Sequence, residues 1–281
     1  MTIERRVRIV QDSDGCNPRK DYDCHVGRML CWHSRYDLGD EHNYDSSDWK
    51  EELACEYDDD LADKLEELRE NVWNAIYTGL CDDAGMSSSD ANEIAGERTE
   101  KRCEELIDRA FDDGYIALPL TLHDHSGISM TTGYGGCPWD SGCVGIIVCT
   151  KEKAREEYGD NWENAEKYLE SEVEVYDHYL RGNVWGYICE ETERIWYTGK
   201  TGSTESHRWE SSEEAEAWIK EQELVDYVGV AAGDYYIDET GEEDWQDVDS
   251  CWGFFGYPET MKDEVSADFA DAFDSAVIEY A

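Results

Sequence analysis

Basic residues are scarce in this chain of 281 residues: 24 Lys and Arg stand against 69 Asp and Glu, a formal net charge of -45. Such an anionic surface repels phosphate backbones and anionic lipid alike, so direct binding of DNA, RNA or an acidic membrane is excluded as an expected activity. Long apolar runs are missing too. No stretch approaches the ~20 residues of a membrane span, and none of signal-peptide length follows Met1. The eleven cysteines are an odd number and are therefore expected as thiols or metal ligands in a reducing interior, not as a disulfide framework. Among them there is no CxxC, the usual start of a zinc knuckle. The chain has no GxSxG nucleophile elbow, and the Gly-Lys-Thr of residues 199–201 lacks the upstream glycine of a phosphate loop.

Large apolar and aromatic residues are present in quantity. With 40% hydrophobic residues, 11 Trp and 18 Tyr, the chain can bury a core, which acidic disordered chains cannot. Residues 3–10 alternate as a strand and 11–20 are rich in turn formers. After Ser46 and Ser47, Trp49, Leu53, Leu61, Leu65, Leu68, Val72 and Ile76 recur at mostly three- and four-residue spacing, which predicts a long amphipathic helix. A second helix is expected from a cap near Ser89 or Asp90 to a stop at Gly114. Segments 116–122 and 144–150 read as buried strands joined by the Gly-rich loop 123–142, followed by helices over 150–159 and 161–181 and a strand over 183–190. A short helix near 211–222, strands at 225–237 and 249–257, and an acidic amphipathic helix over the last twenty residues complete the expectation. The fold class is α+β: a central, mostly antiparallel sheet packed by helices. Residues 1–44 and 115–281 would form the core domain, with 45–114 inserted as an acidic helical hairpin.

Charge is unevenly placed. Residues 1–35 carry seven bases (Arg5, Arg6, Arg8, Arg19, Lys20, Arg28, Arg35) against five acids, and these bases are expected to pair with the acidic remainder. Segment 238–249 has seven acids and no base. On the outer face of 56–70 carboxylates recur about one helical turn, roughly 6 Å, apart and could imitate a row of phosphates. The candidate partner-binding acids are Asp59, Asp63, Glu66 and Glu70, with Glu97, Glu104 and Asp108 on the second helix.

Five blocks in order carry a resemblance: MLCWHSRYDLGD (29–40), LPLTLHDHSGISMTT (118–132), CPWDSGCVGIIVCTKEKAREEYG (137–159), SEVEVYDHYLRGNVWGY (171–187) and DSCWGFFGY (249–257). They resemble a family of uncharacterised proteins of tailed phages and their prokaryotic relatives. The resemblance implies a viral or mobile-element origin and carries no activity with it.

Two chemistries compete with binding. Zinc takes Cys and His in tetrahedral sets, which makes Cys31, His33, His125 and Cys137 the candidates for a structural site; the alternative is packed thiols (Cys31, Cys137, Cys251) beside Trp32, Trp139 and Trp252. Trp139 and Trp252 are expected as core indoles. His125-Ser126 and Asp140-Ser141 contain the residue types of a hydrolase without its sequence signature. The expectation taken forward is a non-enzymatic viral accessory protein of the host cytoplasm, without a required cofactor. It would be a counter-defence inhibitor using DNA-mimicking acidic surfaces against a host defence or nucleic-acid-processing complex, such as a restriction, CRISPR or Gabija-type nuclease, and self-association is compatible with it. The alternatives are a metal-dependent or hydrolytic enzyme centred on Cys31, His33 and the 123–142 loop, or a halophilic viral structural or accessory protein whose acidity serves only solvation.

Overall fold

The computed structural model describes residues 3–133, 140–193 and 245–280, together with the backbone of three strands between the last two segments. In chain order the strands are β1 (Ile3–Gln11), β2 (Arg28–Cys31), β3 (Tyr115–Asp124), β4 (Ile128–Thr132), β5 (Ser141–Thr150), β6 (Val184–Glu193), β7 (Trp196–Lys200), β8 (Ser206–Trp209), β9 (Tyr235–Asp238), β10 (Gln246–Phe255) and β11 (Val277–Glu279). The α-helices used below are α1 (Pro18–Asp21), α2 (Trp49–Tyr57), α3 (Leu61–Glu67), α4 (Trp73–Thr78), α5 (Ser88–Gly114), α6 (Lys151–Tyr158) and α7 (Ala165–Leu180). The chain is α+β, with mostly antiparallel sheets packed by helices. Among the described residues no helix is long and apolar enough to cross a membrane.

Contacts divide the chain into two units, residues 17–181 and residues 1–16 with 182–281. In the first, the sheet order is β2-β5-β3-β4. Alternation along β3 and β5 sends Leu120, Leu122, Ile147 and Cys149 to one face, where Leu169, Val173 and Tyr176 of α7 cover them. Val148, Leu30 and Tyr115 point the other way and pack with Leu53, Leu61, Leu65, Cys103, Ile107 and Phe111. The 45–114 helices thus share a core with the sheet, and the observed unit boundaries fall at residues 16/17 and 181/182, outside the hairpin.

The first arm of the hairpin is segmented, in contrast to the continuous helix its periodicity predicts. It breaks at Asp58–Asp60, where the Asp58 side chain accepts hydrogen bonds from the Asp60 N–H and from Lys64, and it widens into π-helical turns at Leu68–Val72 and Gly79–Asp83. A π-turn takes up extra residues, so side chains beyond it leave the apolar stripe. Leu61 and Leu65 are buried, whereas no residue from Glu66 to Asp90 is. The second arm runs as predicted, capped two or three residues earlier by Ser87, whose side chain accepts from the Asp90 N–H at 3.2 Å.

In the other unit the sheet order is β10-β6-β1-β11, antiparallel except for β1 with β11. Val7, Ile9, Trp185, Tyr187 and Cys189 form the buried face, against Met261, Val265, Phe269 and Phe273. The helix expected over the last twenty residues is absent: Pro258–Asp263 and Ala267–Phe269 are 3-10 turns, Ala270–Phe273 is a single α turn and Val277–Glu279 is a strand. The four-residue spacing that suggests a helix survives as four inward side chains. Pro258 at a helix start and β-branched Val277 and Ile278 at the β1 edge favour short turns ending in a strand. Strands β7, β8 and β9 make a third, antiparallel sheet in the order β8-β7-β9. The helix expected at 211–222 lies outside the described residues, as does the strand at 225–237 apart from its end in β9.

Candidate functional site

The seven N-terminal bases are all engaged, as their charge asymmetry predicts. Arg5 pairs with Glu191 at 2.7 Å, Arg6 with Glu190 at 2.6 Å, and Arg8 with Glu279 at 2.7 Å. Lys20 holds Asp37, Arg28 holds Glu56 and Arg35 holds Asp124. Arg19 is the buried one. Its side chain is 1% exposed, its guanidinium grips both oxygens of Asp40, and it donates to Glu172 at 2.9 Å and to the Gly27 carbonyl at 2.7 Å. Glu172 in turn accepts from the N–H groups of Val26 and Gly27, and Asp40 from that of Met29. Every member of this network is therefore satisfied, the condition for a buried ion group to be tolerated.

With those bases spent, acids are left over. Asp59, Asp63, Glu66 and Glu70 are all exposed and form no ion pair among the described residues. The three bases of the same arm are taken elsewhere: Lys50 by Asp108, Lys64 by Asp58, and Arg69 by Glu51. On α5, Glu97 and Glu104 are exposed, but so are Arg98, Lys101, Arg102 and Arg109, and Asp108 is held by Lys50 at 2.5 Å. The first arm is the more purely anionic surface. Its break at Asp58–Asp60 interrupts the expected ladder, with Asp59 in the break and Asp63, Glu66 and Glu70 beyond it.

The thiol and imidazole candidates are only partly gathered. Cys31 and His33 line one open cleft of about 570 Å³ with Tyr36, Asp37, Asp40, Glu41 and His42. Burial, reinforced by the Asp40 carboxylate, pushes the Cys31 thiol up to about 12, so it stays protonated at neutral pH. His33 stacks on Tyr36 at 4.9 Å, and its Nδ1 accepts from the N–H groups of Arg35 and Tyr36, which fixes the proton on Nε2 and closes the turn. His125 stands in the β3–β4 turn, 77% exposed, with Nδ1 3.7 Å from Asp140. Cys137 and Trp139 lie outside the described residues. Among the described residues no group of three or more His, Cys, Asp and Glu side chains is placed to hold a metal ion. Cys251 and Trp252, expected as packed groups, are exposed; Trp252 is 46% exposed because it lies on the surface of the sheet across Gly186, where no side chain could fit beneath it.

The structure also joins residues that spacing does not link. Arg35 and the Tyr36 hydroxyl both meet Asp124, which brings the 33–36 turn to the end of β3. His123 and Ser141 face each other across β3 and β5, with Nδ1 and Oγ 2.5 Å apart. Gly199 and Lys200 belong to β7, paired with β8 and β9, so they do not form the strand-to-helix turn that cradles phosphate. Comparisons with known protein families, with curated proteins and with solved structures found no match.

Proposed function

We propose that this protein is a virus-encoded, non-enzymatic accessory protein that acts in the host cytoplasm by occupying the basic nucleic-acid site of a host defence nuclease or related complex. The observation that carries this reading is the set Asp59, Asp63, Glu66 and Glu70: four exposed carboxylates that form no ion pair among the described residues, while Lys50, Lys64 and Arg69 are consumed by other acids. A surface needed only for solubility gains nothing from leaving one face unbalanced, whereas charge complementarity directs encounter with a basic partner. The viral origin rests on the five-block resemblance. The test is competition: the protein should displace DNA from purified defence nucleases at low salt and lose that ability at high salt. The variant Asp59→Asn/Asp63→Asn/Glu66→Gln/Glu70→Gln should compete more weakly. Equal competition by the variant and the native chain would sink the reading.

A hydrolytic reading has one observation in its favour, the contact between His123 and Ser141. Labelling of Ser141 by a fluorophosphonate, abolished in His123→Ala, is the result it requires.

A further inference from the structure

Charged residues make up 33% of the chain, yet between Glu70 and Asp90 the only charges are Asp82 and Asp83, and residues 71–81 carry none. This segment is the tip of the hairpin: the π-turn Leu68–Val72, α4, the π-turn Gly79–Asp83 and the start of α5. Val72, Trp73, Ile76, Tyr77 and Leu80 are all half-buried there, with Trp73 stacked on Tyr77 at 5.0 Å. None of the five belongs to the core at the base of the hairpin. Instead α4 lies against α5, whose Ala91 and Ala95 are fully buried in this stretch, and methyl groups cannot cover side chains of that size. Two helices without a third layer leave each apolar side chain one wet face, and contiguous apolar surface of that kind marks a contact site.

The charges beside the tip say what covers it. Arg98 and Arg102 are exposed one turn apart on α5, a like-charge pair that disfavours a helix, and with Lys101 they form no ion pair among the described residues, in a chain where 69 acids face 24 bases. Asp82 and Asp83 are equally exposed and equally unpaired. Arg69 lies 3.9 Å from Glu100, so the first arm near residue 70 stands level with those bases of α5. Two hairpins laid antiparallel, with their uncharged 71–81 segments side by side, therefore bring Asp82 and Asp83 of each copy level with Arg98, Lys101 and Arg102 of the other. A net charge of -45 repels a second copy from the acidic surface, and the tip is where that repulsion is missing. We propose that the hairpin tip joins two copies of this chain about a two-fold axis, with Trp73, Ile76, Tyr77 and Leu80 packed on their counterparts and the two aspartates of each copy paired with the three bases of the other. The contact uses none of Asp59, Asp63, Glu66 and Glu70, so it goes beyond the proposed function and does not rest on it.

The experiment is sedimentation equilibrium of the full chain over a dilution series at about 0.1 M salt, where repulsion beyond about 10 Å is screened and contact pairs are not. A monomer–dimer equilibrium and nothing larger is expected. Asp82→Lys/Asp83→Lys lowers the net negative charge, so general repulsion alone would tighten association; pairing across the two-fold axis instead weakens it about tenfold, the sum of a few exposed ion pairs. Arg98→Glu/Lys101→Glu/Arg102→Glu should weaken it at least as much, and the two sets combined should restore most of it. Ile76→Glu/Tyr77→Glu, which puts charge into the apolar contact, should leave a monomer. Circular dichroism shows whether that variant keeps its helices, and the charge exchange, confined to exposed residues, tests the contact if it does not. A monomer at every concentration, tighter association in Asp82→Lys/Asp83→Lys, no recovery in the combined variant, a folded Ile76→Glu/Tyr77→Glu that still dimerises, or assembly beyond the dimer would each overturn the proposal. No nuclease or DNA takes part, so the outcome is read separately from the competition experiment.

Discussion

Two residues separate buried from exposed ion pairing in this chain. Arg19 neutralises Asp40 and Glu172 away from water, and Arg19→Ala would leave both carboxylates without their counter-charge, a loss of about 3–5 kcal/mol read by urea unfolding. Arg19→Lys should recover only part of it, since an ammonium cannot engage Asp40 through a planar fork. Glu279 is a surface case. Its hydrogen bond from Arg8 holds its carboxyl below the usual range, so the pair stabilises the fold at neutral pH, and that contribution disappears as pH falls through the depressed value. Glu279→Gln should therefore be less stable than the native chain at pH 7, and the difference should close as pH falls through that depressed value, as seen in paired melts from neutral to strongly acid pH. A constant difference at every pH would mean that packing, not charge, is what the substitution changes.

At the scale of elements, what was legible in the sequence is what local periodicity encodes. β1, β3, β5, β6 and α5 stand close to their predicted limits because alternation and the 3.6-residue repeat are short-range signals. The interrupted first arm and the C-terminal turns were not legible. Met261, Val265, Phe269 and Phe273 keep a helical spacing through separate turns, because burial dictates which side chains face inward and permits more than one backbone path, whereas Leu68 and Val72 keep the spacing in sequence but fall in a π-turn where no residue is buried. The candidate site divides in the same way. The unbalanced acids could be read directly, whereas Arg19–Glu172 spans 153 positions and Arg35–Asp124 spans 89, distances over which only the tertiary fold brings charges together. Trp252 is the case where residue type misled: an indole beside a cysteine in an apolar strand reads as core, yet it lies half exposed across Gly186. Trp252→Ala should accordingly cost about 1–2 kcal/mol, well short of the 3–5 of a buried indole, and leave the transition cooperative. Loss of the folded baseline would show that the ring is covered in solution.

Across the whole molecule the balance is one-sided: 24 bases cannot compensate 69 acids, and the N-terminal bases are all committed to particular partners. The remaining carboxylates repel one another, and the repulsion is screened over about 10 Å at 0.1 M salt and about 3 Å at 1 M. The melting temperature should then rise with KCl. Removing four unpaired charges in Asp59→Asn/Asp63→Asn/Glu66→Gln/Glu70→Gln should raise it at 0.1 M by about 2–4 °C, the shift expected from roughly 1 kcal/mol in a chain of this size. The two curves should converge near 1 M, where screening does the work of the substitution. Haloadaptation predicts a different pattern: a native chain that is unfolded at 0.1 M KCl and folds only as salt is added. A cooperative melt at 0.1 M therefore removes solvation in concentrated salt as the reason for the acidity. If the variant is also the more stable chain there, the native sequence gives up stability to keep those four carboxylates unpaired, a cost that a binding face explains and decoration does not. Should native chain and variant melt together at every salt concentration, the four side chains carry no repulsion, and the anionic face that matters must be sought elsewhere in the chain.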